Sequence, residues 1–249
     1  MPTLARAPRI APARRLLASF VLLFCLACAG PRVATEPASG EASPLRVGFV
    51  VVDGVYNSEL IAPYDIFHHS VFHTQPGMQV FTVAPSRDVI TSFEGLRLIP
   101  DHSFKSAPPL DVMVVPSALH SMDSDLENEA LIDYVREQGA RARSVISLCD
   151  GAFVLAQAGL LDGLLCTTFP TDIEAFRERF PQLEVLEGLS FVHDGKLITS
   201  AGGALSYDAA LHLSERLWGP EVAHGIGAGL VLDWDVSQVA CRVTEHATP

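Results

Sequence analysis

Three short, continuous apolar runs constrain this chain more than any other feature: 46–52 (RVGFVVV), 110–115 (LDVMVV) and 144–148 (SVISL). A strand that is apolar at nearly every position is buried on both faces, which is the signature of a parallel sheet covered by helices on either side. Each run stops at a turn or breaker: Asp53-Gly54, Pro116 and Cys149-Asp150-Gly151. A fourth run, 78–84 (MQVFTVA), reads the same way, and 93–100 alternates weakly around Gly95 as a hairpin arm. Helices are expected between the strands. One covers 58–72, capped by Ser58 and with Pro63 near its start; others cover 126–138, 152–159, 205–218 and 222–234. Leu205, Ala209, Leu213 and Leu217 share the inward face of the fourth. Segments 189–192 and 196–199 flank Asp194-Gly195, a two-residue hairpin signal. The alternation predicts an α/β fold: a single doubly wound, mostly parallel sheet with helices on both faces.

Length and charge narrow the options. The chain has 249 residues, of which 49% are hydrophobic and 18% charged, enough apolar material for a full core and too much for a disordered chain. A net charge of −12 repels a phosphate backbone, so no nucleic-acid partner is expected. Five cysteines do not make a disulfide scaffold, and no apolar run reaches the length of an ordinary transmembrane helix. The amino terminus is different. Arg6, Arg9, Arg14 and Arg15 precede the apolar stretch 16–27 (LLASFVLLFCLA), which reads as an export signal over 1–27. The stretch ends in CLACAG, which resembles a bacterial lipobox with Cys28 as the lipidated residue, although Cys25 stands where leucine is usual. Plain secretion is the alternative. Residues 28–44, rich in Pro, Ala, Ser, Gly and Glu, form a flexible tether, and 45–249 form one domain. The expected location is outside the cytoplasm, at the bacterial cell envelope or secreted, with membrane contact only through the lipid anchor.

In an open α/β sheet, ligands bind beyond the carboxyl ends of the strands, where strand order reverses. Segments 53–59, 116–119 and 149–151 arrive there. Cys149 is the most informative residue. A strand that ends in Cys and turns at once into a helix makes a nucleophile elbow, and the helix N-terminus favours a thiolate. Gly151 permits the tight turn and close approach of a substrate. The plainer alternative is a small buried hydrophobe.

From 46 to about 234 the chain resembles the DJ-1/PfpI superfamily of the class I glutamine amidotransferase-like fold, in the branch that holds isonitrile hydratase and the amino-terminal domains of AraC-type regulators. The carrying segments are GVYNSELIAPYDIF (54–67), DVMVVP (111–116), SLCDGAFVLAQAGLLDG (147–163), TTFP (167–170) and DGKLITSAGGALSYDAALHL (194–213). The resemblance implies a flavodoxin-like sheet, a homodimer, Cys149 as the reactive thiol and Glu59 as a carboxyl hydrogen-bonded to its sulfur. A protonated Glu59 donating to the thiolate would lower the thiol pKa. Three departures matter. Phe169 stands where many members carry His; Asp150 follows the cysteine where the isonitrile hydratase branch usually has Thr; Pro116-Ser117-Ala118 replaces Pro-Gly-Gly. Asp150 can act as an acid or base. Ser117, Ala118 and Gly151 line the substrate side, with the N–H groups of Ala118 and Asp150 as an oxyanion hole.

The resulting expectation is a cysteine-dependent hydratase or hydrolase acting on a small electrophilic molecule, needing no metal or organic cofactor. The alternatives are a redox-sensing or protective protein and a tethered, non-catalytic ligand-binding module. His69 and His73 lie one turn apart, but no second ligand cluster accompanies them, so no metal is expected. Segment 225–229 (GIGAG) follows no strand and is assigned to close helix packing rather than to a phosphate loop. Trp218 and Trp234 are assigned to packing; Cys166 and Cys241 could pair after export, and the sequence leaves their disulfide state open.

Overall fold

A computed structural model describes residues 43–248. The export signal, Cys28 and nearly all of the tether therefore lie outside the described residues. An eight-stranded sheet forms the centre. Its strands are β1 (Arg46–Val50), β2 (Gln79–Ala84), β3 (His102–Ser103), β4 (Val112–Val115), β5 (Ser144–Leu148), β6 (Phe191–Asp194), β7 (Leu197–Ser200) and β8 (Cys241–Val243). Their spatial order is β8-β6-β7-β5-β4-β1-β2-β3. All neighbours pair in parallel except the β6–β7 hairpin, which pairs Phe191 with Ser200 and Asp194 with Leu197. The doubly wound, mostly parallel architecture agrees with the expectation from the sequence.

Strand order reverses at β1, which has β2 on one side and β4 on the other. Side chains alternate across the sheet, because the strand period is two. Val112, Val114, Ile146 and Leu148 face one layer with Val47 and Phe49, under α1 (Asn57–His69), α5 (Ser206–Trp218) and α6 (Pro220–Gly229). Met113, Val115 and Val145 face the other, under α2 (Glu129–Arg141), α3 (Gly151–Gln157) and α4 (Ile173–Arg179). Phe49, Phe67, Phe153 and Phe176 are fully buried, each worth about 2–3 kcal/mol in surface removed from water. Trp234 is buried and its indole N–H donates to Glu215, while Trp218 packs partly buried against the same layer.

Several boundaries differ from the sequence reading. Ser58 is inside α1 and caps nothing; Tyr56 holds the N-cap position without a side-chain bond. Helix α1 stops at His69 and tightens into a 3-10 turn over Ser70–Phe72. The last helix ends at Gly229 rather than Trp234, because the chain turns back through Val231, which has a positive φ. Leu205 is exposed, since it belongs to a 3-10 turn ahead of α5 and not to its inward face. Helix α4, β3 and β8 carry too weak a period to be legible. The glycine-rich segment is a packing face: a side chain at Gly225 would meet His73, and one at Gly229 would meet His69. On the hairpin strand β6, buried His193 shares a 2.8 Å hydrogen bond with His212 of α5, and burial depresses their pKa values to about 4 and about 3.

Candidate active site

The loops after β1, β4, β5 and β7 meet at the carboxyl edge of the sheet, beside the point where strand order reverses. Cys149 leaves β5 with a φ of 53°, one of two non-glycine residues with positive φ among those described. The left-handed turn is unfavourable for a side-chain-bearing residue and persists because its surroundings fix it. Cys149 N–H donates to Ser200 carbonyl at 3.0 Å, and Thr168 Oγ1 donates to Cys149 carbonyl at 3.1 Å. Two glycines complete the support. A Cβ on Gly151 would sit 2.1 Å from the Val115 carbonyl oxygen, and a Cβ on Gly202, whose φ is +79°, would sit 2.4 Å from that of Cys149. Gly151 therefore lets α3 close onto the end of β4, which is a packing duty distinct from the substrate approach expected of it.

The thiol is surrounded by carboxyls. Cys149 Sγ donates to Asp150 Oδ2 at 3.7 Å, and Asp150 Oδ1 accepts from Thr168 Oγ1 at 3.2 Å. Glu59 is buried on the first turn of α1. Its Oε1 accepts the Gly203 N–H at 2.8 Å and its Oε2 accepts from Ser58 Oγ at 3.1 Å. The hydrogen bond expected between Glu59 and the sulfur is thus replaced: the cysteine's carboxyl partner is Asp150, and Glu59 is tied to the loop after β7. Burial, then the charges of Asp150 and Glu59, push the Cys149 thiol well above its ordinary pKa. The Ser117 hydroxyl and the Asp150 backbone N–H pull the other way. Ser117 is fully buried and its Oγ has no other hydrogen-bond partner. Burial and the two carboxyls thus oppose the thiolate that the helix terminus alone favours. Asp150 is itself pushed up to about 6, first by burial and then by Asp172.

A cavity of about 340 Å³ opens onto this group. It is lined by Glu59, Cys149, Asp150 and Gly203 together with Tyr56, Ser58, Phe169 and Asp172. That volume suits a small organic molecule. Ser117 and Gly151 stand behind the thiol. Ala118 is farther from the expected role: its N–H donates to Ser121 Oγ at 2.9 Å and is not free to hold an oxyanion. The Asp150 N–H remains directed at the sulfur. Sequence reasoning missed Tyr56, Thr168, Asp172, Gly202 and Gly203 as members of the site. Gly202-Gly203 stands one residue beyond the end of β7, a signal legible in the sequence; Asp172 enters from the loop before α4 and carried none.

Residues 45–216 match the DJ-1/PfpI family. The chain belongs to the DJ-1/PfpI family. It is 35% identical over 180 residues to isonitrile hydratase of Pseudomonas putida, covering 72% of this chain and 75% of that protein. It is 31% identical over 187 residues to the HTH-type transcriptional regulator GbdR of Pseudomonas aeruginosa, covering 74% of this chain but 50% of the regulator. The fold is that of a ThiJ/PfpI family protein from Pseudomonas syringae, with a TM-score of 0.69 at 23% identity over 82% of this chain and 84% of that one. As a member of the DJ-1/PfpI family, the chain departs from the pattern that its resemblance implies at Asp150 and Phe169, and both departures line the cavity.

Proposed function

We propose that this protein is a cysteine-dependent hydratase of small electrophilic molecules, with isonitriles as the substrate class. The observation that carries the reading is the Cys149 thiol donating to Asp150 in the lining of a substrate-sized cavity. The similarity to isonitrile hydratase supports the choice of substrate. An isonitrile carbon accepts a nucleophile and a proton at the same atom, so a neutral thiol beside a base suits it better than a preformed thiolate. Asp150 takes the thiol proton and delivers it to the isonitrile carbon as sulfur bonds there, giving a thioimidate. Its pKa of about 6 places it close to neutrality, where a group both takes and returns a proton. Glu59 then takes a proton from water as the water oxygen bonds to that carbon and passes it to the imine nitrogen, leaving a tetrahedral carbon that bears OH, NH and sulfur. The carbon–sulfur bond breaks, the thiol regains its proton and an N-substituted formamide leaves. The Asp150 N–H stabilises the departing sulfur. No step calls for a cofactor.

The test is formamide production from a panel of small isonitriles, followed by NMR. The wild-type chain is expected to form formamide and Cys149→Ala none; a wild-type chain inert towards every isonitrile would overturn the reading. A peroxide-sensing role needs a thiolate, and the surrounding acids oppose one. We further infer that the chain acts as an exported homodimer held at the envelope through Cys28. Metabolic labelling with palmitate, lost in Cys28→Ser, and the mass in solution check these two points.

A further inference from the structure

The charge around the Cys149 cavity is one-sided. Glu59, Asp150 and Asp172 line it together with the rings of Tyr56 and Phe169, and no Lys, Arg or His does so. None of the three carboxyls takes part in an ion pair among the described residues. Glu59 and Asp150 are committed to internal hydrogen bonds. Asp172 is not. It is half-buried at the foot of α4, makes no cap bond to that helix, and accepts only a 3.4 Å contact from the adjacent Thr171 hydroxyl.

Three carboxyls with no basic counterpart repel an anion and attract a cation, and the effect is strong in a cavity with low-dielectric walls. Aromatic ring faces add to the preference for a positive group. We propose that the site selects electrophiles that carry a positive charge, such as a protonated amine, and that Asp172 is the specificity-determining residue that receives it. The cation rests on the Asp172 carboxylate and against the Tyr56 and Phe169 rings, and the electrophilic carbon reaches Cys149. Anionic electrophiles are excluded at the mouth. This deepens the reading of the site as a thiol-dependent active site, on which it rests.

The test separates the two. The full chain is treated with three methanethiosulfonates whose transferred groups are cationic (trimethylammonioethyl), uncharged (methyl) and anionic (sulfonatoethyl). In each reaction the Cys149 thiolate attacks the reagent's divalent sulfur, a mixed disulfide forms and methanesulfinate leaves; the thiol proton passes to the buffer. Rates at Cys149 are read by peptide mass spectrometry and normalised to 2-mercaptoethanol. A cationic-to-anionic ratio raised at least about tenfold, and lowered several-fold in Asp172→Asn, is expected. Equal normalised rates, or a ratio untouched by Asp172→Asn, would overturn the proposal. Asp172 makes no capping bond, so the variant removes charge without removing a helix contact. Charge selection without isonitrile turnover would sink the hydratase reading and leave this inference standing. Turnover of isonitriles without charge selection would do the reverse.

Discussion

Cys149, at the elbow after β5, and Cys166, in a short ribbon pairing Leu165–Cys166 with Glu184–Val185, invite comparison. Both are buried free thiols, and burial is the main cause that raises the pKa of each, Cys166 to about 12. Their surroundings differ. Cys166 donates to the Glu184 carbonyl, has ordinary φ, pairs in register with Val185 and belongs to the same buried cluster as Leu161 and Phe176. Cys149 has a strained φ, a carboxyl acceptor, the buried Ser117 hydroxyl at its sulfur and a cavity beside it. A raised pKa therefore does not by itself mark an inert cysteine. What separates the two is strain fixed by glycines, a base within reach of the proton, and space for a reactant.

The sharpest test of that contrast is truncation of each thiol. Cys149→Ala is expected to lower formamide production at least about 10³-fold, the scale of losing a nucleophile, while Cys166→Ala leaves it within about threefold. Equal losses would erase the distinction. Next in size is the glycine support. Gly202→Ala places a methyl group on the Cys149 Cβ and forces a side chain into positive φ. It is expected to destabilise the chain by about 3 kcal/mol in a urea titration. Gly188→Ala, at positive φ but with open space around it, should cost only about 1 kcal/mol.

Asp150 gives the third comparison. As the base, it works when ionised, so the rate should rise with pH through about 6. Asp150→Asn is expected to lower turnover about 10²-fold and abolish that limb of the pH profile. Persistence of the limb would move the base elsewhere. A smaller effect than that of Gly202→Ala is expected at Cys166, whose replacement by alanine should cost about 1–2 kcal/mol of stability, by loss of packing and of its contact with the Glu184 carbonyl.

Much of this was legible in advance where a signal was local. The unbroken runs that became β4 and β5 predicted buried parallel strands, because strands apolar on both faces have no other stable home. The residue order Ser-Leu-Cys-Asp-Gly predicted the elbow at its observed place. Weak periods hid α4 and the two edge strands, whose residues are ordered by what packs on them. The Glu59 assignment shows the other limit. Its burial next to the site followed from its position on α1, but its partners are Gly203 and Ser58, the first of them 144 residues away along the chain. Such a pairing depends on the loop after β7 folding over α1.

The sequence by itself determined the layered α/β architecture, the strand that delivers Cys149, and an acid directly after it, since these rest on hydrophobic period and adjacency. Only the tertiary structure decided which carboxyl meets the thiol, that Ala118 spends its N–H on Ser121, that Asp172 lines the cavity without an ion-pair partner among the described residues, and that burial raises the thiol pKa. The physical reason is range. Hydrophobic alternation is set by neighbours a few residues apart, whereas burial, charge and hydrogen-bond competition are sums over groups that meet only when the sheet has brought four loops to one edge.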